Sequence, residues 1–240
     1  MLKLVGFDAD DTLWHSEGFF RAVHGEFERI LGQYLDLGNA NVHDHLLEVE
    51  RRNIKLFGYG AKGMTLSMLE SAIAMTDEKI SARHLHEIIG LGKEVLSHPV
   101  ELIDGMAQAV SEVAREFQIV LITKGDLFHQ ESKVAKSGLS SVFGRIEIVS
   151  EKDPATYQRV LSEFGLSAWQ FLMVGHSLRS DIAPVLQIGG YAVHMPYPLT
   201  WALEMHDSFV PDEDRMRTVE SAAQIPAAVH ALALKAARVH

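Results

Sequence analysis

Three aspartates lie close together near the start of the chain, in the stretch FDADDTLW at residues 7–14. Asp8, Asp10 and Asp11 follow an apolar run, Leu2–Phe7, that has the length of a β-strand. Neighbouring carboxylates repel one another, and burial near a core raises the cost of their charges, so such a cluster requires compensating positive charge. A solvated surface turn and a metal-dependent reaction centre are the two interpretations that this stretch allows.

Four further apolar runs have the length of buried strands, and they are Ile119–Thr123, Ile146–Val149, Phe171–Gly175 and Tyr191–Met195. Between them, apolar residues recur with the 3.6-residue period of an amphipathic helix, as at Tyr157, Val160 and Phe164. Alternation of strands and helices predicts an α/β fold with a doubly wound, Rossmann-like parallel sheet. The charged stretch Glu213–Arg217 is predicted to be a solvated turn.

Polar side chains follow the later strands as well as the first. They are Thr123 and Lys124 after the second strand, Lys152 after the third, and His176 and Asp181 after the fourth. Ligands of open α/β sheets bind at the carboxyl ends of the strands, so these side chains are expected to share one edge of the sheet with Asp8 and Asp10.

The residue types at this edge point to phosphoryl chemistry. Several acids without any cysteine favour a hard, oxygen-ligated cation such as Mg²⁺. A hydroxyl, a lysine and backbone N–H groups can hold phosphate oxygens. One carboxylate can attack phosphorus to give an aspartyl-phosphate, and a second carboxylate two residues further on can transfer protons.

The order of these motifs resembles that of the haloacid dehalogenase (HAD) superfamily. The DADDT segment at residues 8–12 is similar to the DxDxT motif of that family, and the strand ending at Thr123 is similar to its second motif. Lys152 stands where the family has its third-motif lysine, and GHSLRSD at residues 175–181 is similar to the fourth motif.

The resemblance implies a role for each matching residue. Asp8 would be the nucleophile and Asp10 the general acid/base, while Thr123 and Lys152 would complete the catalytic set by binding phosphate. Mg²⁺ would be held by Asp8, by the backbone carbonyl of Asp10 and by Asp181. Lys124 is added to Thr123 and Lys152 as a substrate-binding residue, through its backbone N–H or its side chain.

Residues 15–97 show helical periodicity and no convincing strand. This segment is too long for an ordinary connection between strands. The segment is predicted to be an inserted all-helical cap domain, and residues 1–14 and 98–240 are predicted to form the α/β core. A helical insertion directly after the first motif resembles the C1-type cap of HAD subfamily I. Such a cap would close over the site and select the substrate.

Two positions depart from the family pattern. His176 stands where an Asp is common, and three interpretations stay open: it contacts a metal-bound water or Asp181 in the second shell, it is merely tolerated, or it weakens metal binding. Lys124 stands where an Asn is frequent. Trp14 is expected at a hinge, where lining the substrate pocket and packing are both open. Trp201 and Glu204 follow the fifth strand, from whose end they could reach the site, but a surface connection is the favoured interpretation of their segment.

The composition narrows the classes of protein and partner. The chain has 240 residues, a formal net charge of −10 and no cysteine, so disulfides and thiolate chemistry are excluded and the basic footprint of a nucleic-acid binder is missing. No apolar run approaches membrane-spanning length and the first residues lack a signal-peptide pattern, so we expect no membrane partner and a cytoplasmic location. A monomer and a homodimer are both compatible with the sequence.

The leading prediction is a Mg²⁺-dependent phosphohydrolase that acts on a small phosphorylated metabolite. A phosphomutase on the same scaffold, and a binding or regulatory protein with weak or no catalysis, are the alternatives. True haloacid dehalogenases need neither a metal nor the second aspartate, so the presence of both Asp10 and Asp181 argues against that activity.

Overall fold

The structure, a computed structural model, describes residues 1–206 and 208–239. The chain divides into two compact units, each built from more than one segment. The first unit comprises Met1–His15, Val100–Lys124 and Gln130–His240, and the second comprises Ser16–Pro99 and Gly125–His129.

The first unit contains all six strands of the described chain. These are β1 (Leu4–Phe7), β2 (Gln118–Lys124), β3 (Arg145–Val149), β4 (Phe171–Gly175), β5 (Tyr191–His194) and β6 (Met216–Thr218). The helices are α1 (Glu17–Leu31), α2 (Val42–Phe57), α3 (Ala61–Met75), α4 (Ala82–Ser97), α5 (Met106–Val113), α6 (Leu127–Lys136), α7 (Pro154–Glu163), α8 (Ala183–Gln187) and α9 (Ile225–Val239).

The six strands form one parallel sheet in the order β3-β2-β1-β4-β5-β6. Strand β1 lies at the centre, and Phe7 at its carboxyl end is paired with Leu121 of β2 and Val174 of β4. The chain order reverses between β1 and β4, so the loops that follow these two strands open on either side of a crevice where ligands bind in such sheets.

Successive residues of a strand point to opposite faces of the sheet, and helices pack against the apolar residues on both faces. Val5 and Phe7 of β1 belong to a core with α5 and α9, whereas Leu4 belongs to a second core with α7 and α8. Strand β1 is buried along its whole length, as expected for a strand covered on both faces. The prediction of a doubly wound α/β sheet is confirmed.

The prediction of a solvated turn at Glu213–Arg217 holds for residues 213–215, whereas strand β6 corrects it at Met216 and Arg217. Met216 and Arg217 pair with Ala192 and Val193 of β5, and the backbone N–H of Ala192 donates to the carbonyl of Arg215. A three-residue strand at the sheet edge, with only Met216 buried, is too short to show the period of two that identifies a strand in a sequence.

The second unit is helical. Helices α1–α4 occupy most of residues 15–97, and that segment contains no strand. Asn41 and Ser81 cap α2 and α4 by accepting backbone N–H bonds from residues three positions further on. Gly92 on α4 permits a close approach to α3, because a Cβ at this position would lie 1.9 Å from Oγ1 of Thr65. The domain boundaries at 14/15 and 97/98 stay predictions.

None of the helices in the described ranges combines the length and the apolar character that crossing a membrane requires.

Candidate active site

The turn after β1 fixes the direction of the first aspartates. The backbone N–H of Asp8 donates to the carbonyl of Val174 in β4, and the N–H of Leu13 donates to Ala9 at 2.7 Å. Asp11 has a φ of 57°, in the left-handed region that Asp tolerates better than most residues. Asp11 is therefore a turn residue.

The carboxylate of Asp8 is buried and is contacted on both oxygens. Its Oδ1 lies 2.5 Å from the Nζ atom of Lys152, and its Oδ2 accepts a hydrogen bond from the Thr12 hydroxyl at 2.9 Å. Nδ1 of His176 lies 3.0 Å from the same Oδ2. Burial opposes ionisation, but the charge of Lys152 and the contact with His176 outweigh it and hold the pKa of Asp8 well below its usual range.

Lys152 also contacts the acid of the fourth motif, since its Nζ donates to Oδ1 of Asp181 at 2.7 Å. Burial disfavours a charged ammonium, but attraction to Asp181 and Asp8 outweighs that effect and raises the pKa of Lys152 above its usual range. Burial and the negative charge of Asp8 raise the pKa of Asp181, against the attraction of Lys152. The pKa values of Asp8 and Asp181 are thus shifted in opposite directions, as is usual where paired acids have different roles.

Asp181 is positioned by an irregular turn. Residues Leu178–Ile182 form a π-helical turn between β4 and α8, and the backbone N–H of Ser177 donates to Oδ2 of Asp181 at 2.9 Å. A Cβ at Gly175 would lie 2.3 Å from that same oxygen, so only glycine leaves room for the observed position of Asp181. Turns of this type are frequent at functional sites.

The imidazole of His176 lies against the carboxylate of Asp8. One ligand atom each of Asp8, His176 and Asp181 lies within 4.8 Å of the other two, which is the spacing of a possible metal site. Burial disfavours the imidazolium, but the hydrogen bond and the charge of Asp8 outweigh it and raise the pKa of His176 to about 9. The histidine therefore supplies positive charge to the site at neutral pH.

Asp10 belongs to a separate hydrogen-bond network. Its Oδ1 accepts from the indole Nε1 of Trp14 at 2.6 Å and from Nζ of Lys133 at 2.5 Å, and its Oδ2 accepts from Nε2 of Gln130 at 3.1 Å. Burial opposes ionisation, but the Lys133 ammonium and the Trp14 bond outweigh it and lower the pKa of Asp10. Trp14, which had no assigned role, thus holds the carboxylate of Asp10.

Gln130 and Lys133 were missed by sequence reasoning. Both lie on α6, three residues apart and therefore on one face of the helix. Gln130 also donates to Oγ1 of Thr123 at 2.7 Å, so it connects the hydroxyl after β2 to Asp10. A polar pair spaced i, i+3 in the helix that follows Thr123 was the available signal, but the same spacing is common on solvated faces.

Lys124 does not extend into solvent. Its Nζ donates to Oε1 of Glu204 at 2.6 Å, to Oγ of Ser180 at 2.9 Å and to Oε1 of Glu151 at 3.2 Å. Glu204, in the short helical turn Ala202–Glu204, corrects the interpretation of its segment as a surface connection, since its carboxylate is largely buried against the fourth-motif turn. An irregular segment without periodicity gave no signal for this contact.

Apart from Lys124, the sequence-predicted residues separate into two groups. Asp8, Lys152, His176 and Asp181 contact one another directly. Thr123 and Asp10 are connected through Gln130.

Comparison with known proteins shows what the chain as a whole is similar to. A family model described as "haloacid dehalogenase-like hydrolase" matches residues 2–189. A haloacid dehalogenase-like family hydrolase from Xanthomonas campestris is 52% identical, with coverage of 100% of this chain and 95% of that chain, and its structure superimposes with a TM-score of 0.89. A search of curated proteins found no match.

Two more distant structures share the fold. A 2-haloacid dehalogenase from Pseudomonas syringae pv. tomato DC3000 is 20% identical, with coverage of 96% of this chain and 99% of that chain and a TM-score of 0.62. A predicted phosphoglycolate phosphatase from Haemophilus somnus 129PT is 18% identical, with coverage of 93% and 96% and a TM-score of 0.59. At these identities the likeness concerns the fold alone.

Proposed function

Since the chain belongs to the haloacid dehalogenase-like hydrolase family, we propose that it is a phosphoric monoester hydrolase that acts on a small phosphorylated metabolite. The observation that carries this proposal is the carboxylate of Asp8, buried at the end of β1 with its oxygens at Lys152 and His176. A carboxylate held as an anion at a strand end is a suitable nucleophile for phosphorus.

The attack forms a bond between a carboxylate oxygen of Asp8 and phosphorus, and the bond between phosphorus and the leaving oxygen breaks. Lys152 lies beside Asp8 and supplies positive charge where the phosphoryl oxygens develop negative charge. Thr123, at the end of β2, supplies a hydroxyl for the same oxygens. Water then attacks the aspartyl-phosphate at phosphorus and releases inorganic phosphate and the Asp8 carboxylate.

Asp10 is proposed to move the protons of both steps. In the second step Asp10 has to be ionised to accept a proton from the attacking water; its lowered pKa keeps it ionised, although the same lowering makes it a weaker base. In the first step the leaving oxygen needs a proton, so the Asp10 carboxyl has to take one up when the anionic substrate binds. The bonds from Trp14 and Lys133 hold the carboxylate in place for this exchange.

Mg²⁺ is the cofactor that the proposed reaction requires. Oδ2 of Asp8 and Oδ2 of Asp181 are not bonded to Lys152. Carboxylate oxygens are suitable ligands for a hard cation, so these two acids fit Mg²⁺. The backbone carbonyl of Asp10 is the further ligand that the family resemblance implies. When bound, the cation would offset the charge of the phosphoryl group. The imidazole of His176, a nitrogen donor, suits Mg²⁺ less well.

A metal-independent haloacid dehalogenase is the second candidate, and one observation favours it. The positive charges of Lys152 and His176 balance the negative charges of Asp8 and Asp181 without a metal ion. The presence of Asp10 and Asp181 favours the phosphatase, because haloacid dehalogenases need neither a metal nor the second aspartate. A phosphomutase would share the first chemical step.

A panel of phosphorylated metabolites and p-nitrophenyl phosphate, each assayed with Mg²⁺, tests the proposal. We expect phosphate release by the unaltered protein and by the control Asp104→Asn, an exposed acid of the same unit, and none by Asp8→Asn. A parallel assay of halide release from 2-chloropropionate tests the second candidate. Absence of phosphate release from every ester, or equal release by Asp8→Asn, would contradict the proposal.

A further inference from the structure

Glu204 is a largely buried carboxylate that the proposed chemistry does not use, yet both of its oxygens are bonded to residues of the site. Oε1 accepts from Nζ of Lys124 at 2.6 Å. Oε2 accepts from Oγ of Ser177 at 2.6 Å and from Oγ of Ser180. Burial opposes ionisation, but the charge of Lys124 outweighs it and lowers the pKa of Glu204.

The two serines belong to the turn that carries the fourth motif. Ser177 follows His176, and Ser180 precedes Asp181 in the chain. The Ser177 hydroxyl accepts from the backbone N–H of Ser180 at 3.0 Å, and the Ser177 backbone N–H donates to Oδ2 of Asp181 at 2.9 Å. The Glu204 carboxylate therefore bonds the hydroxyls of both serines.

The segment that carries Glu204 is itself held against the same turn. The guanidinium of Arg179 donates to the backbone carbonyl of Leu203 at 2.6 Å. Lys124 connects Glu204 to the end of β2, directly after Thr123, and also contacts Glu151 beside Lys152. The Glu204 carboxylate thus bonds residues at the end of β2 and after β4, and Lys124 extends the network to Glu151 after β3.

We propose that Glu204 is a positioning residue: paired with Lys124, it holds the Ser177–Ser180 turn in the conformation that places Asp181 beside Lys152 and Asp8. The consequence for catalysis rests on the proposed phosphatase function, whereas the effect on the turn does not. Lys124 in this account is the counter-ion of Glu204 rather than a phosphate ligand. An ammonium has three donors, and the bonds to Glu204, Ser180 and Glu151 engage all three.

The test compares Glu204→Ala, Glu204→Gln, Lys124→Met and the double variant Lys124→Met/Glu204→Gln. Glu220→Gln and Lys136→Met, at exposed positions of the same unit, are the matched controls. Three quantities are measured in each protein: the hydrogen-exchange rate of the Ser177 amide by NMR, the Kd for Mg²⁺ by calorimetry, and kcat and KM on the best phosphate ester.

We expect Glu204→Ala to speed Ser177 exchange and to raise the Mg²⁺ Kd, each by about tenfold or more, because charge-assisted hydrogen bonds to the turn are lost. Glu204→Gln should show a smaller effect, because its amide oxygen still accepts from a serine hydroxyl. The loss of activity should lie mainly in kcat, since Thr123 and Lys152 are unchanged. The thermal midpoint of the controls and of the double variant should stay close to that of the unaltered protein.

The double variant keeps the test valid if a single variant does not fold, because it leaves neither charge of the Lys124–Glu204 pair buried alone. Unchanged Ser177 exchange together with an unchanged Mg²⁺ Kd in Glu204→Ala would overturn the proposal. If no phosphate ester is a substrate, the Ser177 exchange rate still decides the positioning role independently of the phosphatase function.

Discussion

Nδ1 of His176 lies 3.0 Å from Oδ2 of Asp8, the carboxylate at the centre of the site. The same nitrogen is 4.0 Å from Oδ2 of Asp181. A basic side chain thus stands beside two acids at a position where an acid is common in the family, and in the proposed metal-bound enzyme it would compete with the cation for both.

The variant His176→Asp tests the effect of this contact on metal binding. A carboxylate in place of the imidazole adds an oxygen ligand and negative charge, so we expect the Mg²⁺ Kd to fall by about tenfold or more. Turnover at saturating Mg²⁺ should be kept or raised. Calorimetry measures the Kd, with His43→Asp on α2, at an exposed position, as the control. A folded His176→Asp protein without turnover would show that His176 has a positive role.

Removal of Lys152 should destabilise the metal-free protein. Lys152→Met leaves the carboxylates of Asp8 and Asp181 buried without their shared ammonium, and loss of one partner of a buried ion pair costs about 3 kcal/mol or more. Urea unfolding in EDTA at neutral pH measures this loss. The exposed-site variant Lys136→Met should unfold like the unaltered protein, and an equally stable Lys152→Met would refute the account of Lys152 as the shared counter-ion.

The Glu204 carboxylate predicts a pH dependence of stability. Its pKa is lowered in the folded protein from a reference value of 4.5, so the stability it contributes is fully present above that value and is lost as the pH falls through the folded pKa. The difference in unfolding free energy between the unaltered protein and Glu204→Gln should therefore be largest near neutral pH and shrink in acid. A difference that grows on acidification would contradict the prediction that ionised Glu204 stabilises the fold. Glu220→Gln serves as the control.

Gly175→Ala tests the steric requirement at the fourth motif. The added Cβ would lie 2.3 Å from Oδ2 of Asp181, so the carboxylate has to leave its position beside Lys152. We expect loss of Mg²⁺ binding, measured by calorimetry, and a loss of turnover of about a hundredfold or more, as for displaced catalytic groups. Gly144→Ala is the control, because its Cβ would meet its nearest atom at 3.7 Å. Normal Mg²⁺ binding by Gly175→Ala would contradict the prediction.

The sequence was sufficient for the parts of the site that follow strands. Buried parallel strands are continuous apolar runs, and the residues after them must meet at one edge of the sheet. The contact of Lys152 with both Asp8 and Asp181 agrees with that prediction. The fold class follows from the same alternation of strands and helices.

The remaining parts of the site come from elements without a distinctive pattern. Gln130 and Lys133 project from one face of α6, where polar residues usually mark solvent. Glu204 lies in an irregular segment whose path depends on tertiary contacts. The π-helical turn that carries Asp181 is likewise not predicted by local propensity.

The nucleophilic role of Asp8 is tested by mass spectrometry of the protein quenched with acid during turnover of a phosphate ester in the presence of Mg²⁺. Nucleophilic attack by Asp8 predicts one phosphoryl group on the peptide that contains Asp8, and none in Asp8→Asn. Phosphate release without any phosphorylated peptide, together with undiminished turnover by Asp8→Asn, would contradict the assignment of Asp8 as the nucleophile.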